Sequence, residues 1–532
     1  MRKTNSLHHL RGAFSLWKCI PRVRKKRVPG ANVLARLRRA QPGGLVGHKP
    51  RLERFLRHPG LQIIRYIFLF AFFVSFASCS VGPKYRTPTA PVAPSFKELA
   101  GWKQAQPQDD VLREKWWELF GDPLLNALEG QVDISNQTLA ATEAQFRAAR
   151  AVIAVARAGL FPEINVGATV VTSRTNGATR SSYVLPLQLS YEADVWGRIR
   201  RTVEAQVANA QASAADIETA RLSLHAELAL DYFGLRGQDE QQQLFDATVA
   251  AFEQALELTT NRFNQGVASG VDVAQAQTQL DTARAEALDV RVSRAQFEHA
   301  IAVLTGRPPV DLTIASGGLT GEPPAIPVEL PSALLERRPD IAAAERRVAL
   351  ANAQVGVATA ALFPTITLNA STGIQSSAIG SLLSFPSWFW SIGPSLTQTL
   401  FDAGRRKAIK ASTIAIYDST VADYRQSILT AFQEVEDNLA ALRILVDESA
   451  QQDVAVQSAQ RSLALANVRY QGGVTSYLEV ITAQNALLDN QRTAIEIRVR
   501  RMAASVLLIK ALGGGWNASQ LPSSKTLVQD TH

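Results

Sequence analysis

Few residues of this chain have the types and spacing that chemistry requires. Downstream of residue 79 the only histidines are His225, His299 and His532, and no metal-ligand cluster surrounds them. Gly266 to Gly270 reads G-V-A-S-G, which misses the G-x-S-x-G turn that exposes a nucleophilic serine, and no glycine-rich loop is suited to cradling a phosphate. Isolated carboxylates such as Asp231 and Glu436 read as solvated or ion-paired helix residues. The residue types therefore point to no enzyme, no cofactor and no metal, and the remaining candidates are a lipid attachment site and a repeated glycine motif.

The attachment site is Cys79. It follows Arg54, Arg57 and Arg65, an apolar run from Tyr66 to Phe76, and the small pair Ala77 and Ser78. About 11 apolar residues are too few to cross a bilayer core of ~30 Å and suit the central region of a signal peptide. The segment resembles a bacterial lipobox, with Phe76 where leucine is usual. Residues 1–78 are thus expected to be a basic extension plus lipoprotein signal peptide, with Cys79 becoming the lipidated N-terminus. Ser80 rather than aspartate at the next position implies export to the outer membrane. Ordinary peptidase cleavage, with Cys79 a bystander, is the alternative.

Charge divides at the same place. Residues 1–78 hold 17 Lys and Arg against the single acid Glu53, so of the overall +9 the leader carries +16 and the remainder −7. The pI of 9.6 describes the leader. No basic cluster of that scale continues beyond it, which excludes nucleic acid as a partner. Cys19 lies in the leader too, leaving no disulfide framework in a processed chain.

The repeated motif is Arg262 to Leu280, which recurs 207 residues later as Arg469 to Leu487. Nine positions coincide without a gap, among them Gly266/Gly473, Val267/Val474, Ser269/Ser476 and the acids Asp272/Glu479. A second pair of blocks, 136–160 and 338–362, matches at an offset of 202, and the match runs on through Phe-Pro at 161–162 and 363–364. The chain therefore reads as an internal duplication whose five-residue change of offset lies in a loop between the blocks.

The elements that position the motif follow from periodicity. Residues 79–113 read as an anchor and extended, slack tether. The first repeat, 114–311, opens on a Pro123 helix start and continues with a helix, a β-hairpin at about 162–195 and a long helical hairpin at 198–305. A Pro- and Gly-rich linker, 312–337, leads to the second repeat, 338–516, with its β-hairpin at about 364–400 and helical hairpin at 404–511. Residues 517–532 read as a mobile tail. Ile164, Val166, Ala168 and Val170 alternate with polar residues, as do Leu185 to Ala193, Ile366 to Ala370 and Trp388 to Leu396. Strands of about 9 to 11 residues with this alternation and clustered tryptophans are what an outer-membrane barrel requires. The polar stretches Ser173 to Tyr183 and Gln375 to Pro386 are expected to be outward loops. Four strands cannot close a barrel, and open edges are not tolerated in lipid, so either several chains pool their strands or the hairpins are soluble.

Each hairpin feeds a helix reaching on the order of 95 Å; Gly234 and Gly237 are the expected interruptions of the first. Phe245, Val249, Phe252, Leu256 and Phe263 form a coiled-coil stripe, echoed by Val456, Ala459, Leu463 and Tyr470. The duplicated motif falls where these helices end. Gly266 and Gly473 break the chain, and Asp272 and Glu479 open the return helices as first-turn acids.

With CSVGPKY after the leader, WWELFGDPLL, ERRPDIAAAERRVALANAQVG, the paired LFP segments, FDAGRRKA and ALGGGW, the sequence resembles the outer membrane factor family of bacterial efflux systems. These are TolC-like exit ducts, and the likeness is greatest to the OprM- or NodT-type lipoprotein branch. The resemblance implies mixed α and transmembrane β structure. Four strands per chain pool into a trimeric twelve-stranded barrel continued by a long periplasmic α-helical barrel. It implies a homotrimer in outer-membrane lipid, fed by a periplasmic adaptor and an inner-membrane pump of the resistance-nodulation-division class. Gly266, Val267, Ser269, Gly473, Val474 and Ser476, with the acids Asp272 and Glu479, are then the expected tip and adaptor contact. The resemblance places Leu478 at the entrance constriction, and Thr482 where the family commonly has aspartate. Tyr477 and Leu478 make the second tip the expected constriction, and Gly270 makes the first the more adaptable contact. Two alternatives remain: the same duct serving type I protein secretion, and a structural periplasmic lipoprotein with soluble hairpins.

Overall fold

The computed structural model describes residues 80–91, 93–98, 115–319, 321–324, 326 and 333–529. Cys79, the leader, residues 99–114 and parts of the linker lie outside these. Helix α1, Pro123–Ser135, starts where Asp122 accepts the N–H groups of Leu124 and Leu125 at 2.9 and 3.1 Å, with proline at the first position. Then come α2 (Gln137–Ala158), strands β1 (Glu163–Val166), β2 (Thr169–Thr175) and β3 (Ala178–Glu192), and helices α3 (Arg198–Asn264) and α4 (Gly270–Leu304). The second half runs α5 (Pro339–Ala360), β4 (Thr365–Ser376), β5 (Trp388–Thr397), α6 (Arg405–Gln471), α7 (Tyr477–Ala511) and a short α8 (Ser524–Gln529). Corresponding helices have equal lengths: 22 residues for α2 and α5, 67 for α3 and α6, 35 for α4 and α7.

Gly234 and Gly237 do not interrupt α3. They are buried midway along it, and a Cβ added at either would lie 2.7 Å from the Phe297 ring or 2.4 Å from a Val499 methyl. The glycines let α4 and α7 approach closely, and tertiary contact outweighs their weak helix propensity. Around them lies the main core, with Trp116, Trp117, Leu228, Tyr232, Phe233, Ile301, Leu439 and Leu508. The stripe buries Phe245 and Phe252 as expected, whereas Phe263 turns outward.

Residues 314–319 of the linker are pinned to this level. Ile314 donates its N–H to Glu298 at 2.7 Å, Arg236 donates to Ala315 O at 2.8 Å, and Gly317 and Leu319 donate to Asp239 and Glu240. The tether is not slack either over its described residues. Val81 N–H donates to Trp196 O at 3.1 Å, Arg425 to Thr89 O at 3.1 Å, and Phe96 packs edge-on to Phe432. Glu436, expected to be solvated or ion-paired, instead accepts the backbone N–H groups of Lys97 and Glu98 at 2.6 and 3.0 Å. The C-terminal stretch also differs from a mobile tail: Leu527 of α8 is only 2 % exposed, buried against Ile153, Val207 and Ala210.

The strands form one antiparallel sheet, four strands wide, in the order β1/β2, β3, β4, β5. β1 and β2 keep a single register against β3, Val166 facing Leu187 and Thr169 facing Val184. Between them Gly167 donates to Pro186 O at 3.1 Å, but proline has no N–H to return, so one ladder bond is missing. The expected loop over 173–183 is mostly strand. It contracts to Asn176 and Gly177, whose φ values of 51° and 80° suit a tight hairpin turn; Asn-Gly was the sequence signal for it. The register also sorts the faces. Ile164, Val166, Leu185, Leu187, Leu189, Ile366, Leu368, Ile374, Trp388, Trp390, Ile392 and Leu396 share one face. Glu163, Asn165, Gln188, Ser190, Thr367, Asn369, Ser371, Ser391 and Ser395 share the other.

Candidate functional site at the helical-hairpin tips

Both tips reverse by the same backbone chemistry. Gly266 and Gly473 have φ of 74° and 73°, which a side chain disfavours. Gly266 N–H donates to Phe263 O and Val267 N–H to Arg262 O, at 2.9 and 2.8 Å; Gly473 and Val474 repeat this with Tyr470 and Arg469 at 3.0 and 2.9 Å. Such a Schellman pair satisfies the last carbonyls of α3 and α6. The glycines are thus needed for the turn. The valines beside them are not, and they stand 61 % and 71 % exposed.

The return helices start differently. Ser269 Oγ accepts the Asp272 N–H at 3.2 Å while the Asp272 carboxylate accepts the Ser269 N–H at 3.0 Å, a complete capping box on α4. Ser476 makes no side-chain cap, and Glu479 instead meets Arg469 at 3.4 Å.

The tips are joined to each other. The Arg262 guanidinium lies 4.8 Å from the Tyr470 ring centroid and donates to Gln471 O at 3.1 Å. The rings of Tyr470 and Tyr477 are 5.2 Å apart, and Ala276, Ala466, Val480, Ile481 and Ala483 close the cluster. Tyr477 is 2 % exposed, so it does not project from the tip as its position beside Leu478 suggested. Burial pushes its phenol up to about 12. Leu478, 55 % exposed, is the residue that projects. It borders two grooves. One, of about 690 Å³, is lined with Leu465, Arg469, Ser476, Glu479 and Thr482; the other, of about 380 Å³, with Val271 and Ile481. The Thr482 hydroxyl is engaged within α7, donating to Leu478 O at 2.9 Å. Sequence reasoning missed the Arg262–Tyr470–Tyr477 cluster, because its members were read as parallel copies rather than as partners.

A sequence model of the family described as outer membrane efflux protein matches residues 130–307 and 330–514. The chain belongs to this family. Among its relatives, a probable efflux pump outer membrane protein, SepC of Pseudomonas putida, is 34% identical over 473 residues, covering 84% of this chain and 97% of that protein. Outer membrane protein OprJ of Pseudomonas aeruginosa is 33% identical over 457 residues, covering 84% and 94%. The solved outer-membrane channel OprN superposes with a TM-score of 0.77 at 30% identity, over 82% of this chain and all of that one.

In this outer membrane efflux protein, two other places bear on function. The described chain begins at Ser80, one residue past Cys79, packed so closely on Gly197 that a Cβ there would lie 2.7 Å from the serine Oγ. Gly197 caps α3 just after β3, so Ser80 sits where sheet gives way to helix. At the level of the main core, His225 Nδ1 lies 2.6 Å from Glu129 Oε2, Nε2 lies 3.4 Å from Asp133, and Trp117 stacks on the imidazole at 4.3 Å. The Asp133 contact is an ion pair without hydrogen-bond alignment, and Glu129 Oε1 has no hydrogen-bond partner. Burial raises Glu129 to about 7, against the opposing His225 bond. Burial pulls His225 down, but the neighbouring Asp133 and Glu129 carboxylates leave it raised, and Asp133 is lowered chiefly by His225. Among the described residues no group of three or more His, Cys, Asp and Glu is arranged to hold a metal. No described helix is long and apolar enough to cross a membrane.

Proposed function

We propose that this chain is the outer-membrane exit duct of a tripartite efflux system. Three copies pool their sheets into a twelve-stranded barrel, and the paired long helices continue it as a periplasmic α-helical barrel. Small molecules pass without chemistry, driven by an inner-membrane pump of the resistance-nodulation-division class through a periplasmic adaptor. The observation that carries this reading is the two-faced sheet with two open edges: Leu187, Trp390 and Ile392 on one face, Gln188, Ser371 and Ser391 on the other. In lipid such a sheet must close with its apolar face outward.

The tips then lie at the periplasmic end. Val267 and Val474 offer apolar contact to the adaptor, flanked by Ser269, Asp272, Ser476 and Glu479. Leu478 narrows the entrance, and Thr482 contributes no acidic charge there. Cys79 carries the lipid, and the position of Ser80 at the sheet–helix junction supports this, since it sets the acyl chains beside the proposed membrane boundary. Reconstitution of processed protein into planar bilayers tests the whole: one trimer-sized conductance with a closed resting state is expected. Monomeric protein without conductance would overturn it.

A further inference from the structure

We infer that the free edge of β5 pairs with the free β1–β2 edge of a second copy in one register: Ser391 opposite Ser173, and Ser395 opposite Thr169. This rests on the barrel assembly proposed above and adds to it the contact that joins the copies.

The two hairpins share one ladder geometry. Ile164 pairs with Leu189; its counterpart Ile366, 202 residues on, pairs with Leu396, which is 207 beyond Leu189. First strands thus correspond at an offset of 202 and second strands at 207, the same two offsets that relate the preceding helices and the tips. The five-residue difference falls in the connection between Ser376 and Trp388, and the strands themselves are uninterrupted copies. Within the chain, the second strand of one hairpin already meets the first strand of the next: Val184 faces Gln375, and Gln188 faces Ser371. Carrying that junction around by the same offsets turns Val184 into Ser391, Gln375 into Ser173, Gln188 into Ser395 and Ser371 into Thr169.

Backbone direction, an independent property, agrees. Gly167 donates to Pro186 O, so alternate residues from Gly167 turn toward β3, and Ala168, Val170, Thr172 and Arg174 turn their N–H and C=O groups to the open edge. Because Pro186 is engaged with Gly167, its pairing with Gly373 is of the non-hydrogen-bonded kind, and Gly373 turns instead to Phe389. The outward residues of β5 are therefore Trp388, Trp390, Ile392, Pro394 and Leu396. In the inferred register Ala168, Val170, Thr172 and Arg174 oppose Leu396, Pro394, Ile392 and Trp390, so outward groups meet outward groups. A slip of one residue would break both this match and the apolar face; slips of two preserve them. The foot of the sheet offers a parallel. Phe363 stacks on Trp196 at 4.7 Å, whereas its counterpart Phe161 is exposed, as is Phe401 just beyond β5.

Cysteine pairs discriminate among the even slips. Ser391 and Ser173, like Ser395 and Thr169, would be non-hydrogen-bonded neighbours with Cα atoms about 4.5 Å apart, within bridging range. Full-length lipoprotein carrying Ser391→Cys with Ser173→Cys, or Ser395→Cys with Thr169→Cys, is oxidised in outer membranes with copper–phenanthroline and run without reductant. Covalent trimers are expected from both pairs, at least about fivefold above the single variants and above Ser391→Cys combined with Val171→Cys or Thr175→Cys. If the shifted pairs link best while detergent-extracted protein has trimer mass, the register is wrong and the assembly stands. If the protein is monomeric and no pair links, both fall.

Discussion

Arg262 and Tyr470 end the two outgoing helices, 208 residues apart in sequence, and the guanidinium of one lies 4.8 Å from the ring centroid of the other. The same arginine donates to Gln471 O, so a single side chain holds both the apolar face and a terminal carbonyl of the neighbouring tip. A cation–π contact of this kind contributes about 1 kcal/mol, and the hydrogen bond a similar amount. Arg262→Ala should therefore loosen the tips locally by about 1–2 kcal/mol. Hydrogen exchange at residues 466–484 should quicken severalfold while the sheet is unchanged; equal protection in both proteins would show that the contact contributes nothing.

Val267 and Val474 are large apolar residues exposed beside glycines whose conformation is already satisfied. If they contact the adaptor, Val267→Trp together with Val474→Trp should abolish export, read as a drop of tenfold or more in tolerance to pump substrates, while trimers still assemble. Unimpaired export from normal trimer levels would show that the valines do not contact the adaptor.

Leu478, 55 % exposed and proposed to narrow the entrance, should behave differently. Leu478→Ser removes the projecting side chain without touching the Tyr470–Tyr477 packing, so single-channel conductance or open probability should rise by about twofold or more. A closed state identical to that of the parent would move the constriction elsewhere.

How much of this was legible in the sequence depended on whether the signal was local. The helices, their tips and the Asp122–Pro123 start follow from periodicity, glycine and proline, which act within a few residues. Gly234 and Gly237 misled, because their reason for being glycine is Phe297 and Val499 on other helices. Asn176 and Gly177 were a local signal for a tight turn that the polar composition around them obscured. Glu436 could not have been read at all: nothing near it in sequence indicates that it receives the backbone of Lys97 and Glu98.

That contact can be broken alone. Glu436→Ala leaves the N–H groups of Lys97 and Glu98 without their carboxylate, and loss of such charge-assisted bonds costs about 2 kcal/mol. Limited proteolysis should then cut near residues 93–98 at least several times faster, with the helices intact. Resistance equal to that of the parent would mean that Phe96 against Phe432 suffices to hold the segment.

The His225–Glu129 pair predicts the direction of pH dependence. Both groups bind their proton more tightly folded than unfolded, Glu129 at about 7 against an ordinary 4.5 and His225 above its ordinary 6.5. Stability from such groups is complete below their unfolded values and is lost as pH rises through the folded ones. Asp133, lowered, acts oppositely, but only as pH falls below its ordinary 3.8. Between pH 5 and 8 the net effect is therefore a loss with rising pH, on the order of 2 kcal/mol. Calorimetry of detergent-solubilised protein should show Tm falling across that range. Glu129→Gln keeps the shape and a hydrogen bond to His225 without the titrating carboxyl, and should flatten most of the slope. If the variant retains the full slope, the dependence comes from another group, and the buried pair is a static core contact.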